Sequence, residues 1–271
     1  MLLAFKKTYA ENEEVKPVSS AALTGCGDVR SSLAYADGKV YFTAKGGYLC
    51  SASVDGASGA ISGVKTVALG AQSTSTPVVY GGYVYIGAGL GFDDPGRFII
   101  ADKNTLEVRN TVQLKGYAQC SMLLSTAYLE SEGYLYFYST YNTMPGGVSL
   151  IKVKADDVGK TELIELFDAK GYENYCVCSV ICDADGNLYY KNDSGSIFCL
   201  SNEYSESVLV SIASKGSVAL SYAPVTAADR NGDGAVDIDE VMYAAHDKYY
   251  EGGAAKGYAT ASNEYGAYIS R

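Results

Sequence analysis

The 271-residue chain is 48% hydrophobic and 19% charged, which excludes the apolar-poor, highly charged composition of a disordered segment. Its 31 acidic against 21 basic residues leave a formal charge of -10, so nucleic acid is excluded as an expected partner, because a phosphate backbone needs a dense basic face. No apolar run approaches the ~20 residues that span a bilayer, and no membrane insertion is expected.

The opening "MLLAFKK" is too short an apolar stretch, with its lysines on the wrong side, to be a signal peptide. An export signal, if the protein has one, is expected upstream. Residues 1–27 read as an N-terminal segment in which "EVKPVSSAAL", 14 to 23, looks like the last strand of a preceding unit and a candidate closing strand.

From residue 28 one phrase recurs four times: "AYADGKVYF" at 34–42, "VVYGGYVYI" at 78–86, "YLESEGYLYF" at 128–137 and "ICDADGNLYY" at 181–190. Each is an apolar strand, a turn ending in Gly, any residue, Val or Leu, then Tyr. The aligned Gly38, Gly82, Gly133 and Gly186 are 44, 51 and 53 residues apart, a repeat with loops of variable length. Asp37-Gly38 and Asp185-Gly186 are type I′ hairpin signals, since Asp-Gly accepts positive φ. A third strand follows in "GGYLCSA", "GRFIIAD", "GGVSLIKV" and "GSIFCLS", and a fourth in "VKTVALG", "VRNTVQLKG", "TELIELFDAKG" and "SVLVSIASKG".

Four antiparallel strands in about 45 residues is the period of a β-propeller blade. Val40, Val84, Leu135 and Leu188 fall on one face of their strands and Tyr41, Tyr85, Tyr136 and Tyr189 on the other, so each unit has two apolar faces to stack. "SVALSYAPV", 217–225, looks like the first strand of a fifth unit that could join 14–23 in a shared closing blade.

The phrases "DGKVYFTAKGGYLCSASVDGASG" and "DGNLYYKNDSGSIFCLS" resemble the quinoprotein-like (PQQ-type) β-propeller superfamily over about residues 28–216. The resemblance implies the scaffold. Enzymatic members pack on a repeat Trp, and Trp is absent here, so it does not imply the dehydrogenase.

"YCVCSVIC" places Cys176, Cys178 and Cys182 at even spacing, on one face if the segment is strand. Without a CxxC pair they read as small buried hydrophobes rather than metal ligands. "NDS", 192–194, fits a glycosylation sequon in a hairpin turn. "GAGLG", 87–91, is not followed by a helical pattern, which disfavours nucleotide binding.

"AADRNGDGAVDIDE", 227–240, carries the spacing of a calcium loop. Asp229, Asn231 and Asp233 supply side-chain oxygens, Ala235 a backbone carbonyl, Asp237 a direct or water-bridged oxygen and Glu240 a bidentate carboxylate, while Gly234 allows the turn and Val236 is the apolar plug. The all-oxygen set selects Ca2+ over zinc or iron. Downstream, "DIDEVMYAAHDKYY" predicts a helix capped by Asp237, with Ile238, Val241, Ala244, Ala245 and Tyr249 on its apolar face. A loop with only an exiting helix resembles the dockerin-type half of an EF-hand, as in large surface proteins of Gram-positive bacteria, over about 227–250.

His246, the sole histidine, is expected on the helix surface and has no triad signature around it. Paired-carboxylate hydrolysis needs two suitably placed acids, yet Asp93, Asp94, Glu130 and Glu132 read first as loop and turn residues. Among 25 tyrosines, Tyr117, Tyr141, Tyr172 and Tyr175 lie between predicted strands and are the candidates for a ligand surface.

The expectation is an all-β propeller, 28–226, of four visible four-stranded blades, followed by a calcium loop, exiting helix and tail at 227–271. Its expected role is non-enzymatic: an extracellular or cell-surface binding, adhesion or scaffolding module for a protein or glycan ligand, part of a larger chain. A polysaccharide-active enzyme is the alternative.

Overall fold

A computed structural model describes residues 1–169, 171–193, 196–210, 225–227, 233, 241–242, 245–251, 254–258, 262–263 and 266–267. Two short strands, β1 (Leu2–Ala4) and β2 (Ser19–Ala21), pair antiparallel. The first repeat unit then forms one sheet in the order β3 (Ala34–Ala36), β4 (Lys39–Ala44), β5 (Tyr48–Val54), β6 (Ile61–Ala68). The second is β7 (Val78–Tyr80), β8 (Tyr83–Gly89), β9 (Gly96–Asp102), β10 (Val108–Leu114), in the same order. In the third, β11 (Leu123–Ser125) is followed by a single helical turn, α1 (Leu129–Glu132), and by β12 (Tyr134–Tyr141), β13 (Gly147–Lys154) and β14 (Thr161–Asp168). The fourth is β15 (Ile181–Cys182), β16 (Leu188–Lys191), β17 (Ile197–Leu200) and β18 (Glu206–Val210). All pairings within these sheets are antiparallel.

The alternation of Val or Leu with Tyr determines how the units stack. Tyr41 packs with Val84, Tyr85 with Leu135, and Tyr136 with Leu188, so each interface joins the Tyr face of one unit to the aliphatic face of the next. At roughly 1.5–3 kcal/mol for each fully buried Leu, Ile or Phe, these interfaces dominate the favourable side of folding. The second strands are buried on both faces, whereas β6, β10 and β14 are largely exposed and form the outer rim. The first strands form the opposite edge of each sheet, the inner edge, where β3 lies against β7. Leu2 and Ala21 cover the Val40 face of the first unit, where a preceding unit would stand.

Several expectations change. Asp37 and Gly38, at φ 50° and 75°, make the expected two-residue turn, with Ala36 opposite Lys39. Asp185-Gly186 does not: Cys182 pairs with Leu188, and the Asp183 carboxylate accepts the Asn187 backbone N–H at 2.8 Å, which organises a longer loop. Of 14–23, Ser19–Ala21 is strand, paired with β1 rather than closing a fifth sheet. The proposed fifth-unit strand lies outside the described residues except for Val225, which is buried.

The exiting helix is corrected to strand wherever it is described. β19 (Thr226–Ala227) pairs with β20 (Val241–Met242), and β21 (Ala245–Glu251), which holds His246, pairs with β22 (Ala254–Tyr258); β23 (Ser262–Asn263) pairs with β24 (Gly266–Ala267). Two of the five residues in the helical stripe are alanines, which add little burial, and Tyr249-Tyr250 favours strand. Cys176 and Cys178 are buried, but Cys182, past the start of β15, is exposed. Asn192, the sequon's asparagine, is fully buried and donates to the Tyr172 carbonyl at 3.2 Å.

Candidate functional site

The segment leading into each unit brings the same chemistry to the inner edge. Ser32, Thr76, Ser121 and Ser179 each stand two residues before the first strand of their unit, and all four line one cavity of about 400 Å³. Arg30, Thr74 and Gln119, two residues further back in the first three units, line it as well, with Cys120. In an extended segment a separation of two returns side chains to one side, so this alternation directs both tiers inward.

The residues in between tie each entry segment to its own unit and to the next. Ser31 donates to the Thr43 carbonyl and accepts the Thr43 N–H; the Thr43 hydroxyl donates to the Ser75 carbonyl at 2.8 Å, and the Ser75 hydroxyl to the Cys120 carbonyl at 2.9 Å. Thr74 donates to the Gln119 carbonyl at 2.9 Å, the Thr140 hydroxyl to the Cys178 carbonyl at 2.5 Å, and the Cys120 thiol to the Val177 carbonyl. Between the first two of the cavity-lining hydroxyl residues, the Ser32 backbone N–H donates to Thr76 Oγ1 at 2.9 Å.

A second, smaller lobe of about 160 Å³ shares Arg30, Thr74 and Gln119 with the first and adds Lys45, Gln72, Gly91, Phe92 and Tyr117. Its wall is held by the loop between β8 and β9. Asp93 accepts from the Met144 N–H at 2.9 Å and from the Tyr175 hydroxyl at 3.0 Å, and Phe92 meets the Tyr175 ring edge-on at 4.7 Å. Gly89 is required beneath Tyr117, because a Cβ there would run into that ring, and one at Gly87 would meet the Ala118 carbonyl. The "GAGLG" run therefore serves close packing of neighbouring units.

Gln119 is oriented by Asn142, whose Nδ2 donates to Gln119 Oε1 at 3.0 Å. The Tyr117 hydroxyl lies 3.1 Å from Thr74 Oγ1, and burial raises its pKa while the Thr74 bond opposes the rise. Burial also pushes the Cys120 thiol up, with Cys178 and Asp193 adding to it, so the thiol is protonated at neutral pH and is a poor nucleophile. Arg30 and Lys45 are the charged residues lining the two lobes among the described residues; no Asp or Glu lines either.

The tyrosines proposed for a ligand surface separate. Tyr117 lines the smaller lobe and Tyr175 braces its loop, but Tyr141 is buried at the end of β12 and Tyr172 packs against Phe198. Glu132 belongs to α1 and accepts the Tyr136 hydroxyl at 2.6 Å, which leaves it in an outer packing role. In the calcium loop, Asp233 is exposed, while Asp229, Asn231, Ala235, Asp237 and Glu240 lie outside the described residues. The pairing of β19 with β20 nonetheless brings the two ends of that loop together.

No protein-family model and no curated protein sequence matches the chain. Among solved structures it is similar to quinohemoprotein alcohol dehydrogenase ADHIIG from Pseudomonas putida HK5, at 15% identity and a TM-score of 0.50 over 68% of this chain and 35% of that one. Similarity to quinohemoprotein alcohol dehydrogenase from Comamonas testosteroni stands at 17% identity and a TM-score of 0.50, over 69% of this chain and 36% of that one. A luciferin-regenerating enzyme matches at 13% identity and a TM-score of 0.50, covering 80% and 68% of the two chains. The chain thus spans about a third of the length of the two dehydrogenases, and at these identities the likeness concerns fold: stacked four-stranded antiparallel sheets of β-propeller type.

Proposed function

We propose that the chain is a non-enzymatic binding module of a bacterial surface protein, and that its inner cavity holds a hydroxylated ligand bearing a carboxylate, such as a uronate-containing glycan. The observation that carries this reading is the hydroxyl at the same place in all four units, Ser32, Thr76, Ser121 and Ser179, converging on one cavity. Hydroxyls both donate and accept, as sugar hydroxyls do. Arg30 and Lys45 offer charge-assisted bonds to a carboxylate, and Phe92 and Tyr117 supply apolar surface for the face of a sugar ring. The surface location rests on the sequence resemblance, and fold alone does not assign function. Among the described residues this lining offers no facing acids, so paired-carboxylate hydrolysis gains no support from it.

Calorimetric titration with oligoglucuronate and with a neutral glucose oligomer tests the reading. Oligoglucuronate is expected to bind, the neutral oligomer more weakly, and Arg30→Ala to lose about 10–100-fold in affinity. Equal binding of both sugars, or binding indifferent to Arg30→Ala, would refute it.

We also propose one structural Ca2+ in the 229–240 loop, held by Asp229, Asn231, Asp233, the Ala235 carbonyl, Asp237 and Glu240. The support is the all-oxygen donor spacing and the strand pair that closes the loop. Calcium is expected to raise the melting temperature, with the rise abolished by EDTA and by Asp233→Ala. A melting temperature unmoved by calcium would remove the site.

A further inference from the structure

We propose that Cys26 and Cys50 form a disulfide as the chain folds, fastening the segment that enters the first unit to the middle of its sheet. Their sulfurs lie 3.9 Å apart, with Cys26 1% and Cys50 0% exposed. The Gly46 N–H donates to the Cys26 carbonyl at 3.0 Å and the Lys45 N–H to the Asp28 carbonyl at 2.7 Å, which holds the entering segment against the turn between β4 and β5. An S–S bond would close the sulfurs from this contact to ~2.05 Å. Ala44 and Ala52 are the small members of the same buried cluster.

The location gives the bond a purpose. Among the described residues no full sheet covers this face of the first unit, which is shielded by Leu2 and Ala21 of a two-stranded pair. Terminal units of stacked repeats need a cap, and a covalent link across this cluster would strengthen a thin one. All seven cysteines are free thiols in the structure, and the bond proposed would join these two.

The oxidant is a low-molecular-weight disulfide such as oxidised glutathione. The thiolate of one cysteine attacks it, forming a mixed disulfide and releasing one glutathione thiolate. The second protein thiolate then attacks the protein sulfur of that mixed disulfide and releases the other. One S–S bond forms as another breaks; two electrons pass from the protein to glutathione, and the two thiol protons are taken up by the released thiolates. In the folded chain, burial and the adjacent Cys26 push the Cys50 thiol up to about 12, so exchange belongs to the folding chain and the completed bond is shielded afterwards.

The test is to refold the full chain in a reduced and oxidised glutathione buffer, block remaining thiols, digest with trypsin and map the peptides by mass. Cleavage at Arg30 and Lys45 places the two cysteines on separate fragments. The expected result is a joined Cys26–Cys50 pair, and a melting temperature that drops by roughly 5–10 °C on reduction. Cys50→Ala and, separately, Cys26→Ala should lose that drop. Recovery of both residues as blocked thiols, or joined to other cysteines, would overturn the proposal, and this mapping needs no variant to fold.

Discussion

The interface between the second and third units and the outer face of the first are built from the same repeat positions, yet they differ in what fills them. Between units, Tyr85, Phe98 and Phe137 form an aromatic group with ring centroids 4.4–6.0 Å apart, surrounded by Ile100, Leu135, Ile151 and Val153. On the outer face the corresponding cluster holds Cys26, Ala44, Cys50 and Ala52 around Val40 and Phe42, beneath two three-residue strands. The difference shows that the repeat phrase alone does not make a good interface. Where the third unit places Ile151 and Val153 opposite Phe137 and Leu135, the first places Cys50 and Ala52 opposite Phe42 and Val40.

That contrast can be broken by mutation. Phe137→Ala should have the largest effect, about 3–5 kcal/mol of lost stability in denaturant unfolding, because the hole opens inside a close-packed interface. Leu2→Ala, in the cap, should cost about 2 kcal/mol or less, since two short strands can settle into the space. Equal losses for the two would erase the distinction. Ser75→Ala removes one inter-unit bond and should cost about 1 kcal/mol, with little change in the urea m-value.

The smallest effect concerns pH at the outer rim. The Asp102 carboxyl is held below the usual carboxylate range by the backbone N–H groups of Thr105 and then Asn104, with further help from the Thr105 side chain and Arg109. A lowered folded pKa stabilises above the unfolded value, near 4, and that stability is lost as pH falls through the folded pKa. Asp102→Asn should therefore flatten the fall of melting temperature below about pH 4, while leaving the inter-unit bonds formed by Thr43 and Ser75 unaffected. An unchanged slope would assign acid lability to other carboxylates.

The stacking was readable from the sequence because its cause is local: Val or Leu followed by Tyr, in strands, gives two opposite apolar faces at every repeat. The hydroxyl ring was not, for a definite reason. Aligning the repeats on their turn glycines places Ser32 and Thr76 six residues before Gly38 and Gly82, but Ser121 twelve before Gly133 and Ser179 seven before Gly186. The single turn of α1 and the longer loop organised by Asp183 shift the register, and the ring becomes visible only when counted from the first strands. Tyr141 was misassigned to a loop because β12 runs further than β4 or β8. The C-terminal helix failed because alanines completed a helical stripe in a segment whose tyrosines favour strand. The ligand spacing of the calcium loop is plain in sequence, because all of its donors fall within twelve consecutive residues.

The claim on which the account turns is that the four entry segments form one binding site. Amide NMR spectra recorded during titration with oligoglucuronate test it most directly. The account predicts that Ser32, Thr76, Ser121 and Ser179 shift together along a single saturation curve, while amides of the outer strands β6, β10 and β14 stay still. Saturable shifts confined to the outer strands, or to one unit alone, would contradict it.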